Sequence, residues 1–179
     1  MHPLPLLVCA LLAAPAPLLA RVSQARPDSL LVQDSRTVHA TPAQTYAALV
    51  DVGRWWSPDH TYSGHATNLS LQAEAGGCFC ERWKNHSVQH LQVLRASRDQ
   101  LLRLQGALGP LQELAVQGVM TFSLKAVGRG TELTFQYRVN GTAGSGLDKL
   151  APAVDGMLMQ QLDRLQRHVE TGKADASPP

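Results

Sequence analysis

The stretch LDKLAPAVDGMLMQQLDRLQRHVET, residues 147–171, sets the terms for the rest of the chain. Leu150, Val154, Met157, Leu158, Leu162, Leu165 and Val169 recur at intervals of three and four, one stripe on a helix of 3.6 residues per turn. Asp155, Gln160, Asp163, Arg164, Gln166 and Arg167 fall mostly on the other side. The spacing predicts one long amphipathic helix. Such a helix draws its stability from burying the apolar stripe, so a partner surface must lie against it.

The preceding segments supply that partner. Residues 30–39 read as a strand entered through the turn-like Arg26-Pro27-Asp28. Thr41 before Pro42 is an N-cap followed by proline at the first helical position, and opens a short helix to Val50. Trp55, Trp56, Ser57 and Pro58 read as a second helical turn and a loop. From there the period changes to two. Strands are expected at 68–72, 78–84 and 88–96, with a turn at Asn85-His86, and a short one at 102–104 closed by Gly106. Met120, Phe122, Leu124 and Ala126 alternate with polar residues. So do Leu133, Phe135, Tyr137 and Val139 after the Gly128-Arg129-Gly130 turn. One-sided antiparallel strands need a cover. The expected architecture is α+β: a curved antiparallel sheet wrapped round the C-terminal helix, with two short helices after the first strand.

Composition narrows the function classes. The 179 residues are 44% hydrophobic and 17% charged, as suits a folded globule. A net charge of +2 with no basic run excludes a nucleic-acid surface. Residues 1–20 carry an apolar run from Leu4 to Ala14, too short for a span and matched to a secretory signal cleaved after Ala20. The expected location is therefore periplasmic or secreted, with no membrane-inserted segment after cleavage. Residues 173–179 are expected to be a disordered tail. Cleavage would leave two cysteines, Cys78 and Cys80. Two apart on a strand, they share a face at a separation near the limit for a bridge, so two thiols or one labile disulfide are both open.

Four motifs, RWWSPDHTYSG at 54–64, GGCFCERW at 76–83, GALGPLQ at 106–112 and GLDKLAPAVDG at 146–156, resemble the START-like or SRPBCC superfamily. The resemblance covers 29–172 and points to an exported bacterial subgroup. It implies the helix-grip fold of birch-pollen-allergen-like proteins, polyketide cyclase-like proteins and homologues of the heat-shock protein 90 ATPase activator.

It further implies a cleft between sheet and helix that holds a small, largely apolar, lipid-like or polyketide-like molecule. The expected lining is Trp56, His60, Tyr62, Phe79, Glu81, His90, Phe122, Phe135 and Met157, joined by Met120, Leu133, Tyr137, Val154 and Leu158. Of the adjacent tryptophans, one would anchor the short helix and the other lie at the cleft mouth. No cofactor is expected.

Two alternatives use the same residues. Glu81 and His90 could serve as acid and base of a cyclase-like or lyase-like enzyme, if the Asn85-His86 turn sets them opposite each other. A register shifted by one would instead bring His90 toward Cys78 and Cys80, a metal-binding combination. A chaperone-ATPase regulator is the third reading.

Overall fold

The computed structural model describes residues 22–175. The expected signal segment, 1–20, and residues 176–179 of the expected tail lie outside the described residues. Strands β1 (Val22–Arg26), β2 (Ser29–Val38), β3 (Leu69–Leu71), β4 (Cys78–Trp83), β5 (His86–Ser97), β6 (Leu101–Gln105), β7 (Gln117–Val127) and β8 (Gly130–Asn140) form one antiparallel sheet. Its order is β1-β2-β8-β7-β6-β5-β4-β3. Helix α1 (Pro42–Val50) follows β2, and helix α2 (Leu147–Thr171) closes the described fold.

The apolar stripe of α2 meets β1, β2 and α1. Leu158, Leu162 and Leu165 are buried there with Leu49, Val38 and Leu133. Arg36 adds a polar tie across this seam, pairing with Asp34 on its own strand at 2.6 Å and with Asp163 of α2 at 2.8 Å.

One strand goes beyond the expected set, and one turn is displaced. β1 was not foreseen, since five mixed residues carry too little alternation to read as a strand; it pairs with β2 across Pro27-Asp28. The expected helical turn at the tryptophan segment is present in 3-10 form. Trp55 and Trp56 lie between two 3-10 turns, Val52–Arg54 and Pro58–His60. The β4–β5 turn falls one residue earlier than expected, at Lys84-Asn85: Trp83 pairs with His86, and Lys84 takes a left-handed φ of 48°. A two-residue hairpin turn of this hand matches the twist of the strands.

Curvature comes from β5, which carries two bulges. Phe79 and Cys80 of β4 face Leu91 and Gln89, leaving His90 as the extra residue. Val93 and Arg95 face consecutive residues of β6, leaving Leu94 extra. Each bulge bends its strand and increases the local twist. The β4–β6 side of the sheet is therefore bent and twisted more strongly than the rest.

Candidate functional site

The cleft begins with the tryptophan loop, which is tied to the helix from both sides. Arg164 of α2 is buried and donates to the carbonyl of Trp55 at 2.8 Å and to that of Trp56 at 3.5 Å. Gln161 accepts from the Ser57 N–H at 2.8 Å. Trp55 turns inward and donates its indole N–H to the Leu49 carbonyl. Trp56 donates to the His60 carbonyl and presents its ring to Phe79, edge to face, at 5.5 Å. So Trp55 is the anchor and Trp56 the cleft wall.

His90 owes its place to the bulge. In an unbroken strand His90 and Leu91 would face opposite sides. With His90 as the extra residue both are buried, at 5% and 1% exposure. The imidazole lies between Tyr62, stacked at 5.9 Å, and Phe79, tilted at 5.2 Å. Its Nε2 sits 3.2 Å from Glu81 Oε2. Glu81 is fully buried and also accepts from the backbone N–H groups of Tyr62 at 3.0 Å and Ser63 at 2.6 Å.

These contacts set the charge states. Burial alone would raise the Glu81 pKa, but the hydrogen bonds from Ser63, Tyr62 and His90 outweigh it and hold the carboxyl below its ordinary range. Burial lowers the His90 pKa, and the Glu81 charge only partly opposes this. At neutral pH the pair is a carboxylate and a neutral imidazole. A carboxylate can only accept, so the imidazole proton is on Nε2. Nδ1 is left as a buried acceptor with no hydrogen-bond partner among the described residues.

The third wall is the connection from β6 to β7, residues 106–116, with a 3-10 segment at Gly109–Leu114. Tyr137 of β8 pins it by donating to the Gly106 carbonyl at 3.1 Å and accepting from the Leu108 N–H at 3.0 Å. Burial pushes the Tyr137 pKa up to about 12, so the phenol stays protonated in this role. Gly118 leaves room for the ring, because a Cβ there would stand 2.7 Å from Tyr137 Cε2.

Between these walls and the first turns of α2 lies a cleft of about 520 Å³, lined mainly by apolar side chains. Trp56, His60, Tyr62, Phe79, His90, Tyr137, Val154 and Met157 line it. Glu81 stands behind His90, which it orients. Phe122 and Phe135 do not line it, and this corrects the expectation. They pair directly across β7 and β8 with rings 5.0 Å apart, in the part of the interior that side chains fill. Met120, Leu133 and Leu158 belong to that filled part as well. Leu108, Pro110, Leu111, Glu113, Leu114, Leu150 and Ala153 line the cleft and were not anticipated. The signal for the last two was available, since positions 150, 153, 154 and 157 share one helix face.

The sequence profile of the family described as polyketide cyclase / dehydrase and lipid transport matches residues 29–170. The chain belongs to this family. Among solved structures, a conserved protein of unknown function from Enterococcus faecalis has a TM-score of 0.62 at 15% identity, over 87% of this chain and 78% of its own. The Aha1 dimer from Colwellia psychrerythraea gives 0.58 at 18% identity, over 80% and 98%. CalU16 from Micromonospora echinospora gives 0.52 at 17%, over 84% and 77%. At these identities the likeness concerns the fold, which is the helix grip. Among curated proteins none matches the chain.

Within this family fold, the cysteines sit outside the cleft. Cys78 and Cys80 form a disulfide, with their Cα atoms 5.3 Å apart. Strand alternation puts them on the opposite face of β4 from Phe79 and Glu81. The alternative that joined Cys78, Cys80 and His90 in a metal site is overturned, because the sulfurs bond each other and His90 turns to Glu81. No cluster of three His, Cys, Asp or Glu side chains fit to hold a metal ion occurs among the described residues. No helix among them is long and apolar enough to cross a membrane.

Proposed function

We propose that this protein is an exported carrier that binds a small, largely apolar molecule in the cleft between α2, the tryptophan loop and the 106–116 connection. One observation carries the reading: the 520 Å³ space has mostly apolar walls that side chains leave unfilled. Closing apolar walls around an apolar molecule is favourable at about 25 cal/mol per Å² removed from water. The few polar groups would fix its orientation. Exposed Tyr62 and Leu114 stand at the opening, where an entering molecule would meet them first.

A ligand in excess raises stability by mass action, by about 2.7 kcal/mol at one hundred times its dissociation constant. A thermal-denaturation screen against neutral lipids and aromatic polyketide-like compounds is expected to give upward shifts, with quenching of Trp56 emission. A complete absence of shifts and quenching would sink the proposal. Export is tested separately, by the mass of the N-terminus in the periplasm or medium: a chain beginning near Arg21 supports it, and an intact Met1 in the cytoplasm opposes it.

The Glu81–His90 contact at 3.2 Å favours a second reading, a cyclase-like or lyase-like enzyme. Here neutral His90, held by Glu81, would take a proton from a bound substrate through Nδ1. Turnover of a bound compound that is lost in His90→Gln, while binding persists, distinguishes enzyme from carrier.

A further inference from the structure

The polar inventory of the cleft is one-sided. Asp59 and Glu113 line it, and neither lysine nor arginine does among the described residues. Glu81 adds a third carboxylate just behind the His90 ring. Of the remaining polar groups, the Tyr62 hydroxyl is exposed and can donate or accept, and the Thr61 hydroxyl is spent on the Pro58 carbonyl. His90 Nδ1 is an acceptor without a partner among the described residues. The Tyr137 hydroxyl is already committed in both directions, to Gly106 and from Leu108. His60 meets Gln160 at 2.8 Å through Nε2.

A carboxylate-headed or phosphate-headed molecule entering such a space would lose its hydration and gain no cation in return. Burying an unpaired charge is among the costlier events in protein chemistry. Like charges at Asp59 and Glu113, exposed at the cleft edge, would add a repulsion that water and salt screen in part. A head group that donates hydrogen bonds meets the opposite situation, with the carboxylates of Asp59 and Glu113 at the cleft edge able to accept. The field at this site is already felt by Tyr62, whose pKa is raised by burial first and then by Glu113 and Glu81.

We infer that the cleft selects apolar molecules whose polar end donates hydrogen bonds and carries no negative charge, a hydroxyl or an ammonium, and that it rejects carboxylate-headed and phosphate-headed lipids. The inference rests on the carrier reading and assigns it a ligand class. Asp59 and Glu113 are the specificity-determining side chains. Both are exposed at the cleft edge, so they can be altered without disturbing the core.

The test uses four pyrenes of one skeleton, read by fluorescence titration of the full chain: 1-methylpyrene, 1-pyrenemethanol, 1-pyrenemethylamine in its ammonium form, and 1-pyrenecarboxylate. The alcohol and the ammonium are expected to bind three to ten times tighter than methylpyrene, and the carboxylate at least ten times weaker than the alcohol. In the double variant Asp59→Asn, Glu113→Gln the ammonium should lose its advantage and the carboxylate should recover to within about threefold of the alcohol. Equal binding of all four, or a carboxylate as tight as the alcohol, overturns the selectivity and leaves the carrier standing. An ammonium tighter than methylpyrene beside an alcohol that is not would overturn the hydroxyl arm alone and keep the rejection of anions. If no pyrene binds while a compound of the thermal screen does, the inference falls and the carrier stands; if nothing in either set binds, both fall.

Discussion

Glu81 and His90 show how two ionisable side chains can be kept in an apolar wall. The carboxylate is satisfied by two backbone N–H groups and the imidazole, while the imidazole is held through Nε2 by the carboxylate and on its faces by two flanking rings. Both native pKa values lie below the ordinary ones, so both groups make the fold acid-sensitive. His90 has an ordinary value of 6.5, and the unfolded chain takes up that proton first. Its contribution to stability is whole above 6.5 and is lost as the pH falls through the lower native value. Glu81 acts in the same direction from its ordinary value of 4.5 downward. Urea-unfolding free energies measured from pH 8 to pH 3 should therefore decline in two stages, the first beginning near pH 6.5. His90→Phe should flatten the first stage and keep the second. An unchanged first stage in that variant would show that another group titrates there.

At the scale of elements, α2 and the segments docked on it hold the cleft open in one shape. Arg164 is the link to the tryptophan loop, and its guanidinium also reaches Asp175 beyond the helix end, where Ala174 is buried against the fold. Lys173–Asp175, the start of the expected tail, thus lie against α2. Arg164→Met keeps much of the apolar stem but leaves the Trp55 carbonyl without its donor. A loss of about 2–3 kcal/mol is expected, seen as a lower urea midpoint at unchanged slope, with tryptophan emission shifted to the red. Gly118→Ala probes the other wall. Its Cβ would meet Tyr137 at 2.7 Å and the Gly106 carbonyl at 2.8 Å, so the 106–116 connection must shift. A cost of about 1–3 kcal/mol is expected, together with weaker binding in the cleft. The elements themselves differed in how plainly the sequence announced them. The period of α2 and the alternation of β7 and β8 were legible because each buries one face over many residues. The bulge at His90 was not, since one inserted residue breaks a period of two at a point that no residue type marks. Nor were Leu108, Leu111 and Leu114, which recur every three residues as a 3-10 turn requires but over a run too short to stand out from chance.

At the scale of the whole molecule, one continuous interior is divided into a filled end and an open end. Around Phe122, Phe135, Leu162 and Leu165 the sheet lies close on the second half of α2. Around Leu150, Val154 and Met157 the bulged side of the sheet stands off from the first half, and the cleft occupies the gap. This division makes the cost of truncation depend on position more than on residue size. Phe135 is 1% exposed and surrounded on all sides, so Phe135→Ala leaves a cavity that its neighbours cannot close. The expected loss is about 3–5 kcal/mol. Met157 is half-buried with one side already facing open space, so Met157→Ala forfeits fewer contacts and should cost about 1 kcal/mol. The order should reverse for binding: Met157→Ala alters the cleft wall and should weaken an apolar ligand several-fold, while a folded Phe135→Val should bind as the parent does. Paired denaturation and ligand titrations on these variants check both halves at once. Equal stability losses at the two positions would mean that side chains close over the gap in solution, and that the interior is filled from end to end.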